Sequence, residues 1–571
     1  MSSNSDSPNI DSAGSRTGLP VWMLVIVLLI LVTSHSQVTL RHLALRVAGV
    51  RYGNVSAVEV SAKGSLEIVD KYGVYKANDL AGDTIWVAGQ KYAVAGNTGT
   101  RIQLETTTAE HAIELKDEYL TGVREKTLIV RTALAFPRVN FTLADCLLGL
   151  GLLALAVHLL MKRQMPQRWL PSAGIILFLC VCLFSLFDWA RLFCEPDSPT
   201  DIKAGIKELI QYAEVWVFGY LFFVEVLRRP RVRKAAVITL LAMFALMVVV
   251  ALVEYGLVTA GKTARGLLDV GEIDSLFGFR YNPERSNNPG TEAGKNVLAA
   301  YLMFMLPFAI GAMKSLKPLW QRLVIGLFAC LSLVCILHAG MLLVALAGCL
   351  VVGMVSCPRW GGVAVIGAFL IVLTTACTVL PQHGKILLDS VALYRTGDPY
   401  GLQPMPMKGE GLQNKKWDPW QQKYTELQAA LNAVGTSPVL GHGLGGYQKC
   451  INAFFSGGPM YTLDISKSPV NLMEKNAHGL YTVQAVETGV LGLACLLGLL
   501  AAAAATAMRL RGSTEDPGDR ALLLGVAGAL VAILLGGWLM SFLMRGLSLI
   551  AIALIALPAA IEKPGEPADT A

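Results

Sequence analysis

Charged residues are scarce in this sequence. Of its 571 residues only 16% are charged and 54% are apolar, and the mean hydropathy is +0.52. So few charges exclude a soluble globule, and the composition predicts a polytopic membrane protein in contact with membrane lipid. The formal net charge of +7 requires no anionic partner, because cytoplasmic turns of membrane proteins carry surplus Lys and Arg. We therefore expect no nucleic-acid partner.

The sequence also lacks metal-ligand spacing and a carboxylate pair of the kind that glycosidases use. We expect neither a metal nor a cofactor. Cys194 and Cys450 fall in segments predicted to lie outside the cytoplasm, and whether they form a disulfide is left open. The other cysteines mostly occur in apolar runs, which is typical of small packed residues: Cys146, Cys180, Cys182, Cys330, Cys335, Cys349, Cys377 and Cys495.

Twelve apolar runs are candidate membrane spans. The first, Leu19 to Val32, could be a cleaved signal peptide, but no convincing small-x-small site follows it. We predict instead an uncleaved anchor over 20–35 after a disordered cytoplasmic tail over 1–19. The other eleven runs cover roughly 142–161, 170–192, 210–227, 235–257, 296–313, 319–337, 340–356, 361–380, 480–507, 521–538 and 543–560.

Between the first two spans the pattern changes. From 36 to 140, apolar and polar residues alternate between Gly and Asn turns, as in Thr84-Ile-Trp-Val-Ala, which predicts strands. The predicted fold is therefore mainly α: a polytopic bundle of about twelve transmembrane helices, with a β-rich extramembrane domain inserted after the first helix. No residue in this domain indicates catalysis. It is a candidate scaffold, substrate guide or surface for an envelope-protein partner.

The basic residues predict the orientation. With the amino terminus inside, they fall in the cytoplasmic turns: Lys162, Arg163 and Arg168; Arg228, Arg229, Arg231, Arg233 and Lys234; Lys314, Lys317 and Arg322; Arg359; and Arg509, Arg511 and Arg520. Helices 2 to 9 then occupy 141–380 and helices 10 to 12 occupy 480–562. The segments 36–140, 258–295 and 381–479 lie outside, and 563–571 is a cytoplasmic tail.

Candidate chemistry gathers at the start of the tenth span. The run Pro438-Val-Leu-Gly-His-Gly-Leu-Gly-Gly-Tyr447 is a glycine loop that permits positive φ and close backbone approach. His478 follows at the mouth of the span, where the helix dipole disfavours imidazolium and leaves a ring able to accept a proton. A structural histidine is the alternative.

Further along the span, Gln484 and Glu487 share one helix face, and an ionisable group there is expected to be paired because its burial is costly. Gly489 and Gly492 predict a small-residue seam for another helix. Before the glycine loop, an apolar stripe predicts an amphipathic helix that packs on the membrane or the bundle, with sugar stacking as the alternative: Trp420, Tyr424, Leu427, Ala430, Leu431 and Val434.

Basic residues also stand in the outer segments. Arg280 and Arg285 precede the span that begins near Val297, Arg395 lies in the large outer loop, and Arg545 lies between the last two spans. Guanidinium groups match phosphate oxygens bidentately, so such residues at a membrane surface suit a lipid pyrophosphate. The alternative is that they only reach lipid headgroups.

The order of these motifs resembles the O-antigen ligase and O-antigen polymerase superfamily. The resemblance covers about 275–500 and is carried by Ser437 to Tyr447, Asn476-Ala-His478-Gly-Leu-Tyr and Glu487-Thr-Gly-Val-Leu-Gly492. It implies a metal-independent glycosyltransferase that moves a glycan from undecaprenyl pyrophosphate to a hydroxyl of a glycan or lipid A-core acceptor, at the periplasmic face of a bacterial inner membrane.

The resemblance also implies site residues. His478 matches the family's catalytic histidine, and Arg280 or Arg285 together with Arg395 stand where the family contacts the pyrophosphate. Weaker candidates for substrate contact are Gly443, Gly445, Tyr447, Asn476 and Arg545. Ligase, polymerase and protein O-oligosaccharyltransferase remain open, as do two non-enzymatic classes, a polysaccharide-export scaffold and a transporter.

Overall fold

The structure is a computed structural model. It describes residues 21–34, 51–54, 57–60, 66–69, 81, 84–87, 90–97, 101–105, 118–121, 142–161, 172–186, 202–259, 293–336, 339–379, 419–447, 479–540 and 547–561. The predicted tails over 1–19 and 563–571 lie outside the described residues.

The described part of the chain is mainly helical. Its α-helices are α1 (Val21–Thr33), α2 (Leu143–Met161), α3 (Ala173–Leu186), α4 (Ile202–Tyr212), α5 (Tyr220–Leu227), α6 (Pro230–Thr259), α7 (Ala293–Ala312), α8 (Leu319–Cys335), α9 (Ala339–Ser356), α10 (Gly361–Val379), α11 (Pro419–Thr436), α12 (Leu480–Ser513), α13 (Pro517–Gly536) and α14 (Leu547–Ile561). A π-helical turn, Ala213–Gly219, joins α4 to α5, and a 3₁₀ turn, Met313–Ser315, follows α7.

Within the described ranges, eight helices are long and apolar enough to cross a membrane: Leu143–Met161, Glu208–Leu227, Pro230–Val253, Leu298–Ser315, Ala339–Ser356, Gly361–Val379, Leu480–Ser513 and Pro517–Gly536. This agrees with the predicted class, a multi-pass membrane protein. Four further apolar helices have shorter described lengths: Met23–Thr33, Ala173–Leu186, Leu319–Cys335 and Leu547–Ile561.

The centre of the bundle is built around α13 and α14. Nearly every residue of α14 is buried, which is expected of a helix that is apolar on all sides and enclosed by others. Glycines let α13 approach its neighbours closely. A Cβ on Gly348 of α9 would lie 2.7 Å from the Gly528 carbonyl oxygen, and Gly311 of α7 faces Gly525 in the same way. Backbones in this core therefore pack at distances that larger side chains would prevent.

Basic turns meet at one end of the bundle. Arg233, in the first turn of α6, forms a salt bridge of 2.7 Å with Asp519 in the first turn of α13. Arg511, at the end of α12, donates to the carbonyl oxygen of Val355 at the end of α9 over 3.5 Å. Two turns with predicted cytoplasmic charges are thus in contact with each other, and the turn between α12 and α13 also meets the end of α9.

The described residues between α1 and α2 form seven short strands. They are β1 (Arg51–Asn54), β2 (Ala57–Val60), β3 (Leu66–Val69), β4 (Thr84–Val87), β5 (Gln90–Asn97), β6 (Arg101–Leu104) and β7 (Glu118–Thr121), in the antiparallel order β1-β7-β4-β5-β6-β3-β2. Along β5, Tyr92 and Val94 are buried while the alanines between and after them are exposed. This period of two is the alternation seen in the sequence.

Candidate functional site

The tenth predicted span is broken near its start. Gly489 has φ 66° and ψ −171°, so α12 consists of a short half, Leu480–Thr488, and a longer half beyond the break. Only glycine adopts this conformation readily. The predicted role of Gly489 in a seam for another helix is wrong, because its missing Cβ makes room for the carbonyl group of Val439 in the glycine loop.

The glycine loop carries the hydrogen bonds that the break interrupts. The N–H groups of His442 and Gly443 donate to the carbonyl oxygens of Val486 and Glu487 over 2.8 and 3.0 Å. On the other side of the break, Val490 and Leu491 donate to the carbonyls of Pro438 and Val439 over 2.8 and 3.4 Å. Inside a bilayer every backbone polar group needs such a partner, so the loop replaces the missing helical bonds.

The loop reaches the helix because of its own glycines. Gly441, Gly443 and Gly445 have φ of 71°, 98° and 73°, the positive range that the glycine cluster permits. A Cβ on Gly441 would lie 2.5 Å from the Glu487 carbonyl carbon. Larger residues would both strain the loop and push it away from α12.

Glu487 lies where this loop meets α12. Its side chain is buried, with 4% of its surface exposed. Its Oε1 accepts a hydrogen bond of 3.1 Å from the Tyr447 N–H, and the Gly445 backbone also hydrogen-bonds to the carboxyl group. The Ser185 hydroxyl, from α3, donates to the Glu487 carbonyl oxygen. The expectation that this membrane carboxyl group is paired is confirmed, and its partners are backbone groups.

A buried polar cluster continues from Glu487 along the same helix face. The Gln484 Nε2 donates to the Tyr212 hydroxyl over 2.6 Å, and the Thr488 hydroxyl donates to the Gln484 carbonyl over 2.8 Å. Tyr212 in turn stacks on Phe178 at a centroid distance of 5.9 Å. These bonds hold the short half of α12 against α3 and α4.

The first residues of α12 are fixed by α13. Tyr481 donates its N–H to the Gly537 carbonyl over 3.3 Å and its hydroxyl to the Leu534 carbonyl. Its ring meets that of Trp538 edge to face at 5.3 Å. A Cβ on Gly479 would lie 2.8 Å from the Trp538 carbonyl oxygen, so glycine is needed there too. The chain is therefore well anchored one residue after His478.

Helix α11 covers the loop from the other side. It is confirmed as a helix, and over 427–436, where its side chains are described, Ala429, Ala430 and Ala433 are buried and pack with Val434 against Tyr447 and Val486. Of the predicted stripe, Ala430 and Val434 therefore pack, whereas Leu427 and Leu431 are exposed. Small alanines let the helix backbone come close enough for the His442 Nε2 to bond the Ala433 carbonyl at 2.7 Å. A carbonyl only accepts, so this nitrogen carries a proton.

Three of the predicted site residues lie in this assembly. Gly443, Gly445 and Tyr447 form the loop, and the N–H groups of Gly443 and Tyr447 donate to Glu487. Their role as substrate contacts stays a prediction, and those two donors are already engaged inside the chain. The remaining predicted residues lie outside the described residues: His478, Asn476, Arg280, Arg285, Arg395 and Arg545.

Sequence reasoning missed two contributors, Ser185 and Tyr212. The signal that was present is a polar side chain inside or at the start of an apolar run, which in a membrane needs a partner. The local sequence pattern does not show which partner such a side chain bonds. Among the residues that the structure describes, no group of three or more His, Cys, Asp or Glu is placed to hold a metal ion.

The fold and these contacts define a multi-pass membrane protein with a broken helix supported by a glycine loop. No protein-family model matches the chain. A search of curated proteins also finds no match.

Proposed function

We propose that this protein is a glycosyltransferase of the O-antigen ligase type, acting on a lipid-linked glycan at the outer face of the inner membrane. The observation that carries the proposal is the order of a glycine loop, Asn476-Ala-His478-Gly and a membrane helix. Supporting it, the loop bonds to the short half of α12, whose first residue follows His478 by two positions. A rigid support of this kind suits a catalytic side chain.

The chemistry needs few groups. In the proposed reaction, His478 takes the proton of the acceptor hydroxyl, the acceptor oxygen bonds to the anomeric carbon, and the bond from that carbon to the pyrophosphate oxygen breaks. Pyrophosphate is a good leaving group, so arginines that stabilise its growing negative charge can replace an acid. Arg280, Arg285 and Arg395 are proposed for that task. The periplasm offers no nucleotide sugars, which favours a lipid-linked donor.

A transporter is the second candidate, because broken membrane helices with buried ionisable groups also occur in transporters. There, the backbone at the break lines a cavity or an ion site. In this chain Val486, Glu487, Val490 and Leu491 direct their backbone groups at the break to the glycine loop. The break is therefore filled by protein, which favours the transferase.

The finer architecture belongs to the same proposal. We propose twelve spans, with the four shorter apolar helices crossing the membrane as well, and a periplasmic β-rich domain over 36–140. Both termini are then cytoplasmic. The contact between Arg233 and Asp519 supports this orientation, because it joins two basic turns at one end of the bundle.

Cysteine labelling tests the orientation. In spheroplasts of a strain in which Cys194 and Cys450 are replaced by serine, Lys415→Cys should react with a membrane-impermeant maleimide. Lys317→Cys, in an exposed turn after α7, should react only after permeabilisation. The opposite pattern would overturn the orientation and place the glycine loop in the cytoplasm.

Arginine substitutions test the donor site. Lysine keeps the charge but cannot make a bidentate contact, so Arg280→Lys, Arg285→Lys and Arg395→Lys combined should weaken donor binding at least about tenfold. Binding would be measured with purified protein and undecaprenyl pyrophosphate glycan. Arg359→Lys, at the basic end, is the matched control and should bind normally. Wild-type binding in the triple variant would move the donor site elsewhere.

A reconstituted reaction tests the proposed activity. Purified protein in nanodiscs would be incubated with an undecaprenyl-pyrophosphate-linked glycan and, separately, lipid A-core, a free glycan or a protein acceptor. A product with lipid A-core indicates a ligase, chain extension a polymerase, and protein modification an O-oligosaccharyltransferase. Donor uptake into proteoliposomes without any transfer product would instead favour the transporter.

A further inference from the structure

We infer that Glu487 is a positioning residue, whose carboxyl group holds the glycine loop on the short half of α12 and thereby supports the start of the helix that follows His478 in the chain. This inference rests on the proposed function for its catalytic consequence. The part that concerns the hydrogen bonds between Glu487 and the glycine loop can be tested without an activity assay.

The break at Gly489 separates the short half of α12 from the rest of the helix. A continuous helix would fix Leu480–Thr488 through the rest of the span. Here the bonds across the break run through the glycine loop, from Val486 and Glu487 on one side and from Val490 and Leu491 on the other. The orientation of the short half therefore depends on the position of the loop, in addition to its own contacts with α3, α4 and α13.

Glu487 accepts hydrogen bonds from two positions in the glycine loop. Its backbone carbonyl accepts from the Gly443 N–H at 3.0 Å, and its side chain accepts from the Tyr447 N–H at 3.1 Å. The Ser185 hydroxyl donates to the same carbonyl, which ties this point to α3. One residue thus joins the loop, the short half of α12 and a neighbouring helix.

Packing on the far side of the loop holds it against this point. A Cβ on Gly205 of α4 would lie 2.6 Å from the Leu444 carbonyl oxygen, so α4 presses directly on the loop. On another side, Tyr447 packs in the small cluster with Ala429 and Ala433 of α11. If the Glu487 carboxyl group did not accept this hydrogen bond, the Tyr447 N–H would lose the bond in a place away from water. Such a loss is costly.

Two substitutions separate the acceptor from the charge. Glu487→Met keeps the length of the side chain but removes both oxygens. Glu487→Gln keeps an oxygen acceptor and removes the charge. If Glu487 acts by holding loop N–H groups, the methionine variant should lose the effect and the glutamine variant should keep most of it.

Hydrogen–deuterium exchange of full-length protein in nanodiscs gives the first readout. In Glu487→Met, amides of the loop peptide covering 441–447 should exchange about tenfold faster or more, the size expected when a buried hydrogen bond is lost. Exchange in α13 should not change. Tyr212→Phe, which removes a buried hydrogen bond to Gln484 outside the loop, is the matched control and should leave loop exchange as in the wild type. Unchanged loop exchange in Glu487→Met would overturn the inference.

Transfer kinetics give the second readout. Glu487→Met should lower kcat about tenfold or more while the donor Kd stays within about twofold of wild type, because positioning acts on the reacting groups. Glu487→Gln should restore most of kcat. If glutamine were as inactive as methionine, a titrating role would replace the positioning role. Faster loop exchange with unchanged kcat in Glu487→Met would also reject the positioning role.

A change on the loop side covers the case in which Glu487→Met does not fold. Tyr447→Pro removes both the tyrosine ring and the N–H that donates to Glu487. Tyr447→Ala removes the ring but keeps the N–H. The proline variant should show faster loop exchange than the alanine variant, and equal exchange in the two would contradict the inference. If wild-type protein transfers no glycan with any acceptor, the proposed function fails, whereas the exchange comparison still decides whether Glu487 anchors the loop.

Discussion

His478→Ala is expected to lower glycan transfer by about 10²- to 10⁴-fold, the usual effect of losing a general base. The proposed donor already carries a good leaving group, so activation of the acceptor hydroxyl is the step that needs a side chain. Donor binding should be nearly unchanged, because the pyrophosphate is assigned to arginines. The measurement is turnover of purified protein in nanodiscs, with the donor Kd determined on the same preparation.

The control for this variant is His158→Gln. His158 is buried in the last turn of α2, so the pair distinguishes a base from a histidine buried in the bundle. The control should transfer glycan at close to the wild-type rate, and a chelator should leave wild-type turnover unchanged. Near wild-type turnover in His478→Ala would remove the histidine from the mechanism and revive the export-scaffold alternative.

Gly489→Ala is expected to destabilise the protein and to abolish most of its activity. With φ 66° and ψ −171°, a non-glycine residue costs about 1–3 kcal/mol in backbone strain. The added Cβ would also collide with the Val439 carbonyl, which displaces the loop that bridges the break. We expect a lower apparent melting temperature in detergent, faster amide exchange over 438–447 and at least about tenfold lower turnover.

Gly498→Ala is the matched control in the same helix. Nothing lies within 4 Å of a Cβ added at Gly498, and its backbone is helical. Alanine is favoured over glycine in a helix by about 1 kcal/mol, so this variant should melt at the wild-type temperature or higher. If Gly489→Ala were as stable and as active as Gly498→Ala, the break would be an accident of the chain and not a support for the loop.

Several features near the site follow from local sequence. The glycine cluster permits positive φ, and Gly441, Gly443 and Gly445 have it. The cost of an ionisable group in an apolar run predicts that Glu487 is paired, and it is. Helix α11 follows from its periodicity, and in its described part Ala430 and Val434 of the predicted stripe pack, whereas Leu427 and Leu431 are exposed. Periodicity finds a helix more reliably than it finds the side that packs, because packing depends on the neighbour's shape.

Gly489 shows where local reasoning fails. A glycine in an apolar run is compatible with a close helix contact and with a break. The choice depends on whether another segment supplies partners for the freed backbone groups, and here that segment is Pro438 to Gly443, far earlier in the chain. Without that loop, an unbroken helix would satisfy the same groups at lower cost.

The sequence by itself determined the class of protein, the approximate places of its long apolar helices and the alternation along β5. These depend on the transfer of each residue between water and an apolar phase and on the repeat of helix or strand, which are local quantities. The tertiary structure decided which polar groups meet. Ser185 reaches the Glu487 carbonyl across 302 positions and Gln484 reaches Tyr212 across 272. Such pairs are chosen by how the helices pack in three dimensions, since a buried donor bonds to whichever acceptor the fold brings to it.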